Sequence, residues 1–254
     1  MAKQQIVAMG GGGTSAAVLA EVFALAGRDR ARLLYVGTAS AEDPRNALIM
    51  YERARGQAEV TPLKFFPWPP AGLRELTLAQ DVIFVGGGST ANMLAIWRVH
   101  DLDAILRECW ARGIVLAGLS AGAMCWFEAG ISKSRGPAEP VSGLGLLPGS
   151  LSVHYDGEPE RRPAYLAAVA SGEVPEGFGA DDGVGLLFRD GRLERVVSSR
   201  PGAGCVRVRR AGDRAVEQPL HVDLLADRAR LVAVDADVRE FRAMSRFRAT
   251  RGGG

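Results

Sequence analysis

Apolar positions in the first half of the chain follow two alternating patterns. Short β-branched runs read as strands buried on both faces: Gln5 to Met9 (QIVAM), Leu33 to Val36 (LLYV), Asp81 to Val85 (DVIFV) and Ile114 to Ala117 (IVLA). Longer amphipathic stretches separate them: TSAAVLAEVFALAG, about Asn46 to Arg55, Asn92 to Arg98, and Leu102 to Arg112. Val60 to Phe66 is a further strand candidate, weakened by Pro62, which cannot donate to a central ladder. FPWPPAG reads as a loop, and AGAMCWFEAG is expected to open a helix. Strands alternating with helices predict an α/β fold, a mostly parallel sheet flanked by helices on both faces. Ligands then sit beyond the carboxyl ends of the strands.

From Val141 onward the segments shorten and turns crowd together: GLGLLPGS, DDGVG, RDGRL, RPGAG and RAGDR. Asp190-Gly191 between LLF and LERVV is a hairpin signal. Only Arg161 to Ala170 looks helical here. We therefore expect one domain over residues 1–250. Its parallel half spans 1–140 and its turn-rich, largely antiparallel extension spans 141–250. The TRGGG tail is expected to fray.

Composition adds the location of the glycines. The chain has 254 residues, 47% of them apolar, and 32 glycines with no collagen-like period. That apolar content excludes a disordered chain. A net charge of +2 gives no reason to expect nucleic acid or an anionic membrane as partner. No run is long and apolar enough to span a membrane, and the N-terminus lacks a signal-peptide core. Three cysteines (Cys109, Cys125, Cys205) in no metal-ligand spacing point to reduced thiols in the cytoplasm. Nine glycines cluster after three strands: Gly10 to Gly13, Gly86 to Gly88, and Gly118 with Gly122.

The third cluster carries the chemistry. Gly118-Leu119-Ser120-Ala121-Gly122 fits G-x-S-x-G, with a strand running in and a helix running out. In such an elbow the serine hydroxyl is exposed on a tight turn. Serine needs a general base, and the chain has three histidines. His100 lies between two helices. His221 alternates within an expected strand. His154, in LSVHYDGEPERR, stands where an apolar run turns abruptly polar, and is the favoured base. The orienting carboxylate is open among Asp156, Glu158, Asp181 and Asp182. Gly86-Gly87-Gly88-Ser89-Thr90 can turn backbone N–H groups toward a ligand, as an oxyanion site requires. Gly10 to Gly13 lacks the lysine of a phosphate-binding loop and has no evident role beyond shaping the sheet edge.

GGGST, then GLSAGAMCWF about thirty residues on, then VHYDGEPERR, resembles the peptidase E (aspartyl dipeptidase) family, the serine peptidases of family S51. Cyanophycinases are more distant relatives. The resemblance covers about residues 5 to 200. It implies a class I glutamine-amidotransferase-like (flavodoxin-like) fold, with serine at the nucleophile position and neither metal nor cofactor. Carried over by residue, it implies Ser120 as nucleophile, His154 as base and Asp182 as the acidic member. The family more often has Glu at that acidic position. Gly88 and Ala121 match the oxyanion donors. Arg162, with Arg161 adjacent, matches the arginine that recognises an acidic substrate side chain. Ser89 stands where the family often has Asn. The implied activity is hydrolysis of small peptides with N-terminal aspartate, by a monomer or homodimer. Two rivals are an esterase of the α/β-hydrolase type using Ser120, Asp182 and His221, and a non-catalytic module binding a small anion through its glycine loops.

Overall fold

The computed structural model describes residues 3–13 and 15–225. The first half alternates strand and helix: β1 (Gln5–Met9), α1 (Ala16–Ala26), β2 (Ala31–Val36), α2 (Pro44–Arg53), β3 (Ala58–Leu63), α3 (Leu73–Leu78), β4 (Val82–Val85), α4 (Thr90–Val99), α5 (Leu102–Ala111), β5 (Val115–Leu119) and α6 (Ala121–Met124). The second half holds β6 (Phe127–Ser132), β7 (Glu139–Ser142), β8 (Leu147–Ser152), α7 (Arg161–Ser171), β9 (Gly177–Ala180), β10 (Val184–Arg189), β11 (Arg192–Ser198), β12 (Cys205–Ala211), β13 (Arg214–Pro219) and β14 (Asp223–Leu224).

Local chemistry explains the helix ends. Ser15 caps α1 by accepting the Val18 N–H, and Gly27 closes it in the left-handed conformation. Asp43 caps α2, with Pro44 in its first turn. Ser89 caps α4 by accepting the Asn92 N–H at 3.3 Å.

The strands form an eight-stranded sheet ordered β14-β11-β10-β1-β5-β4-β2-β3. From β1 to β3 every neighbour is parallel. Pro62 is tolerated because β3 is the edge strand. Residues of β1 alternate between two apolar cores. Val7 and Met9 face α1, while Ile6 and Ala8 join the core of α4, α5 and the second sheet. This is the mixed α/β architecture that the alternating pattern predicts. Leu116 of β5 is fully buried, between Ile6 and Ile83 on the neighbouring strands. Leu116→Ala is expected to cost roughly 2–5 kcal/mol, measured by urea unfolding.

The Asp190–Gly191 hairpin forms as expected and adds β10 and β11 antiparallel to β1. Two other expectations need correction. The helix opened by AGAMCWFEAG stops at Met124, and Phe127 begins β6. Close strand approach at Gly130 favours the strand, since a β-carbon there would lie 2.6 Å from the Leu151 carbonyl oxygen. The remaining strands pair largely antiparallel, as expected, but they build a sheet of their own. They form a second, six-stranded sheet ordered β13-β12-β9-β8-β6-β7, in which β6, β8 and β9 run parallel. Phe127, Leu151 and Phe178 of this sheet enter the core shared with α4 and α5, while Tyr165 and Val169 of α7 pack with Ile131 and Val208 in a separate cluster. The expected frayed tail lies outside the described residues.

Candidate active site

The turn after β5 is made by its glycines. A β-carbon on Gly118 would lie 2.0 Å from the Gly122 carbonyl oxygen, and one on Gly122 would lie 2.2 Å from that of Val85. Both positions must be glycine for α6 to start this close to β5 and β4. The tight turn leaves Ser120 at φ 55°, ψ −112°, a conformation that a non-glycine residue holds only when its surroundings enforce it. Its N–H donates to the Met9 carbonyl at 3.0 Å, and its own carbonyl accepts from the Ala123 and Met124 N–H groups.

His154 follows β8 by two residues and also has positive φ, at 53°. Its N–H donates to the Gly10 carbonyl at 2.9 Å. Ser120 Oγ lies 2.8 Å from His154 Nε2, and His154 Nδ1 lies 2.6 Å from Asp182 Oδ1. A carboxylate accepts and does not donate, so the ring proton belongs on Nδ1, leaving the Nε2 lone pair for the serine hydroxyl. The imidazole is 6% exposed and the Asp182 side chain 30%. The structure thus brings Ser120, His154 and Asp182 into one hydrogen-bonded line.

The other acidic candidates go elsewhere. Asp181 accepts the Gly204 N–H at 2.7 Å. Burial raises its carboxyl above the usual carboxylate range, and the nearby Asp156 charge adds to this against the opposing Gly204 bond. Glu158 pairs with Arg161 at 2.9 Å. Asp156 Oδ1 accepts the main-chain N–H of Asp182 at 3.0 Å, and its other oxygen pairs with Arg200. Arg200 Nε also donates to the Asp182 carbonyl at 2.9 Å. Nothing in the turn-rich RPGAG sequence singles out Arg200.

Gly11 and Gly12, in the glycine run left without a role by the sequence, lie directly against this line. A β-carbon on Gly11 would sit 2.2 Å from both Cε1 and Nδ1 of His154 and 2.4 Å from Asp182 Oδ1. One on Gly12 would sit 2.8 Å from Asp182 Cβ. Gly11 also accepts the Gly183 N–H at 3.0 Å, tying the Asp182 turn to β1. The available signal was a glycine run at the same sheet edge as the elbow.

The turn after β4 adjoins Ser120. A β-carbon on Gly87 would lie 3.2 Å from Ser120 Cβ. Gly88 has φ 139°, and a β-carbon there would meet the Ala39 carbonyl oxygen at 2.1 Å. Among the described residues, neither the Gly88 nor the Ala121 N–H has a backbone acceptor. Ser89 is engaged as the α4 cap, and its N–H donates to Ala39 at 2.8 Å. Arg162, at the start of α7, forks onto Glu217 at 2.5–3.2 Å and lies 5.9 Å from the Tyr155 ring centroid. Glu217 also accepts from the Tyr155 hydroxyl at 2.9 Å. Burial first, then this carboxylate, pushes the Tyr155 phenol above its ordinary range. Arg161 is buried and donates to the Ile131 carbonyl.

His221 is not in a strand. It sits between β13 and β14 with its side chain 89% exposed, and its Nε2 lies 3.0 Å from Asp223 Oδ1. β13 ends at Pro219, two residues before His221. His100 caps the end of α4 and stacks on Phe65 at 5.0 Å. All three cysteines are buried and free. Among the described residues, no cluster of His, Cys, Asp and Glu is arranged to hold a metal ion, and no helix is long and apolar enough to cross a membrane.

Residues 3–196 match peptidase family S51. An uncharacterized peptidase, YgaJ of Bacillus subtilis (strain 168), is 41% identical over 229 residues, covering 87% of this chain and 99% of that protein. Peptidase E of Shewanella denitrificans is 30% identical over 124 residues, 48% of this chain and 51% of the relative. Among solved structures, a peptidase from an acI-B1 actinobacterium superposes with a TM-score of 0.61 at 17% identity, covering 88% of this chain and 96% of that one. A putative peptidase E from Listeria monocytogenes EGD-e gives 0.55 at 16% identity, covering 87% and 100%. Those two likenesses concern the fold.

Proposed function

The chain belongs to peptidase family S51, and from that premise we propose that it is a serine exopeptidase which cleaves small peptides bearing an N-terminal aspartate, through Ser120, His154 and Asp182. A serine peptidase of the peptidase E type is the coarser statement that family membership carries. The observation that supports the catalytic part of the finer reading is the continuous line from Ser120 Oγ through His154 to Asp182 Oδ1, with contacts of 2.8 and 2.6 Å.

In this reading His154 Nε2 takes the Ser120 proton as Oγ attacks the scissile carbonyl. The backbone N–H groups of Gly88 and Ala121 stabilise the resulting oxyanion. His154 then delivers its proton to the leaving amine, and an acyl-enzyme remains. Water attacks the acyl carbon as His154 takes its proton; the acyl–Oγ bond then breaks, His154 returns the proton to Ser120 Oγ, and the acid is released. Asp182 holds the Nδ1–H tautomer and stabilises the imidazolium that forms in each half-reaction. The substrate is a short peptide, the enzyme acts as a monomer or homodimer, and its compartment is the cytoplasm. Three buried free thiols are compatible with that compartment.

Arg162 carries the acidic preference. A guanidinium offers a planar fork that a carboxylate fits. The side chain is exposed at the start of α7, with Glu217 already on part of the fork, so a substrate carboxylate shares or displaces that partner. A panel of X-Leu dipeptides varying the first residue tests this. Asp-Leu is expected to be favoured over Ala-Leu, and Arg162→Ala to cut that ratio by about 10-fold or more. Hydrolysis without preference for aspartate, or a ratio unchanged by Arg162→Ala, removes the aspartyl specificity and leaves the peptidase.

A further inference from the structure

We propose that Arg200 and Asp156 act together as a positioning brace for Asp182, fixing the main chain from which its carboxylate reaches His154. The inference rests on the triad reading above. Asp182 lies in the short turn between β9 and β10, so no ladder holds its peptide groups. The brace supplies what a ladder would. Asp156 Oδ1 accepts the Asp182 N–H at 3.0 Å, Arg200 Nε donates to the Asp182 carbonyl at 2.9 Å, and Arg200 and Asp156 close the ring by pairing with each other. Both main-chain polar groups of one residue are thereby held by one ion pair.

An aspartate at this position makes that hold consequential. Its side chain has two torsions, so the carboxylate position follows the Cα position closely. Gly12 and Gly157 crowd it: a β-carbon on Gly12 would lie 2.8 Å from Asp182 Cβ, and one on Gly157 3.0 Å from Oδ2. The carboxylate has little room to recover a main-chain shift by changing rotamer. Arg200 is itself anchored, its N–H donating to Ser198 Oγ at 3.0 Å while the same hydroxyl donates to the Gly183 carbonyl at 3.1 Å. The bonds of the brace go to the Asp182 main chain, so the effect proposed for it on turnover is exerted through Asp182.

Arg200→Met keeps much of the side-chain bulk and removes both donors. It is expected to lower kcat by roughly 10- to 100-fold with KM changed less than about twofold, because displacement of a catalytic group by an ångström costs on that order. Arg200→Lys retains the charge but cannot reproduce the two-pronged contact, so it is expected to stay at least about fivefold below the parent. If Arg200→Met does not fold, the lysine variant carries the test alone. In an Asp182→Asn background, Arg200→Met is expected to change residual kcat by less than about twofold, since the group it positions is already disabled. The downfield proton resonance of His154 Nδ1–H, read by nuclear magnetic resonance without substrate, is expected to shift in both Arg200 variants.

Parental kcat in the Arg200 variants, with Asp182→Asn inactive, overturns the brace and spares the triad. So does a full Arg200→Met loss that persists in the Asp182→Asn background. An Asp182→Asn enzyme with parental kcat removes the triad reading, and the brace with it.

Discussion

Ser120→Ala is expected to lower kcat by about 10⁴- to 10⁶-fold while leaving the fold intact. The change deletes one oxygen, which in the structure contacts His154 Nε2 at 2.8 Å. In the proposed mechanism that oxygen is the nucleophile that His154 activates. What persists is the catalysis available from substrate binding and oxyanion contacts alone. The backbone need not move, because alanine carries the same β-carbon as serine at φ 55° and the Ser120 N–H bond to Met9 is a main-chain contact. Thermal unfolding should therefore stay within a few degrees of the parent. Groups that act as one unit are strongly non-additive. Adding His154→Ala to Ser120→Ala should thus cost almost nothing more, whereas His154→Ala alone should be nearly as damaging as Ser120→Ala. Hydrolysis of Asp-Leu by the Ser120→Ala protein at the parental rate would eliminate the acyl-enzyme mechanism.

The candidate nucleophile, Ser120, was legible in the sequence because the constraint on its turn is local. Gly118 and Gly122 are spaced by the turn itself, and the incoming strand and outgoing helix are adjacent in the chain. His154 stood out as candidate base among three histidines by an abrupt change of polarity at the end of its strand, and the structure places its Nε2 2.8 Å from Ser120 Oγ. The acidic partner was not derivable from spacing, since Asp156, Glu158, Asp181 and Asp182 all occur in turn-like segments. Choosing among them depends on which carboxylate points at His154 and which at Gly204, and that follows from the β9–β10 connection. The resemblance to a known family named Asp182, and the observed contacts bring it to His154. Arg200 was invisible for the same reason, because its partners lie 18 and 44 positions away. Of the fold, the βα half was readable because buried parallel strands make continuous apolar runs. The second sheet was not, because most of its strands contain glycine or proline and three of them run parallel, joined across long connections. Positive φ at both Ser120 and His154 is likewise imposed by tertiary contacts that no local pattern announces.

The Gly10 to Gly13 run yields the second large effect, and it is the one the sequence alone gave no reason to expect. Gly11→Ala is expected to lower kcat by about 10³- to 10⁴-fold, approaching the loss seen when the acidic member of such a triad is disabled. The added methyl would occupy space 2.2 Å from two atoms of the His154 ring and 2.4 Å from Asp182 Oδ1. No relaxation is easy. The imidazole is held by Ser120 on one side and Asp182 on the other, and the Gly11 carbonyl is bonded to the Gly183 N–H. The backbone adds its own penalty, since φ of 138° at Gly11 is a conformation that residues with a β-carbon rarely hold. The least costly response is for His154 to leave the line, which breaks both of its contacts at once. Gly13→Ala is the control. Its β-carbon would meet nothing within 4 Å, so it carries the backbone penalty at φ 89° without the collision. Measured on Asp-Leu, Gly13→Ala should retain activity within about 10-fold, with a modest loss of stability. If the two variants lose activity equally, the damage comes from the loop backbone and the direct role of Gly11 in seating the His154–Asp182 pair is refuted. If Gly11→Ala alone is inactive and still unfolds cooperatively near the parental temperature, the first glycine cluster is as much a part of the catalytic centre as the elbow that announced it.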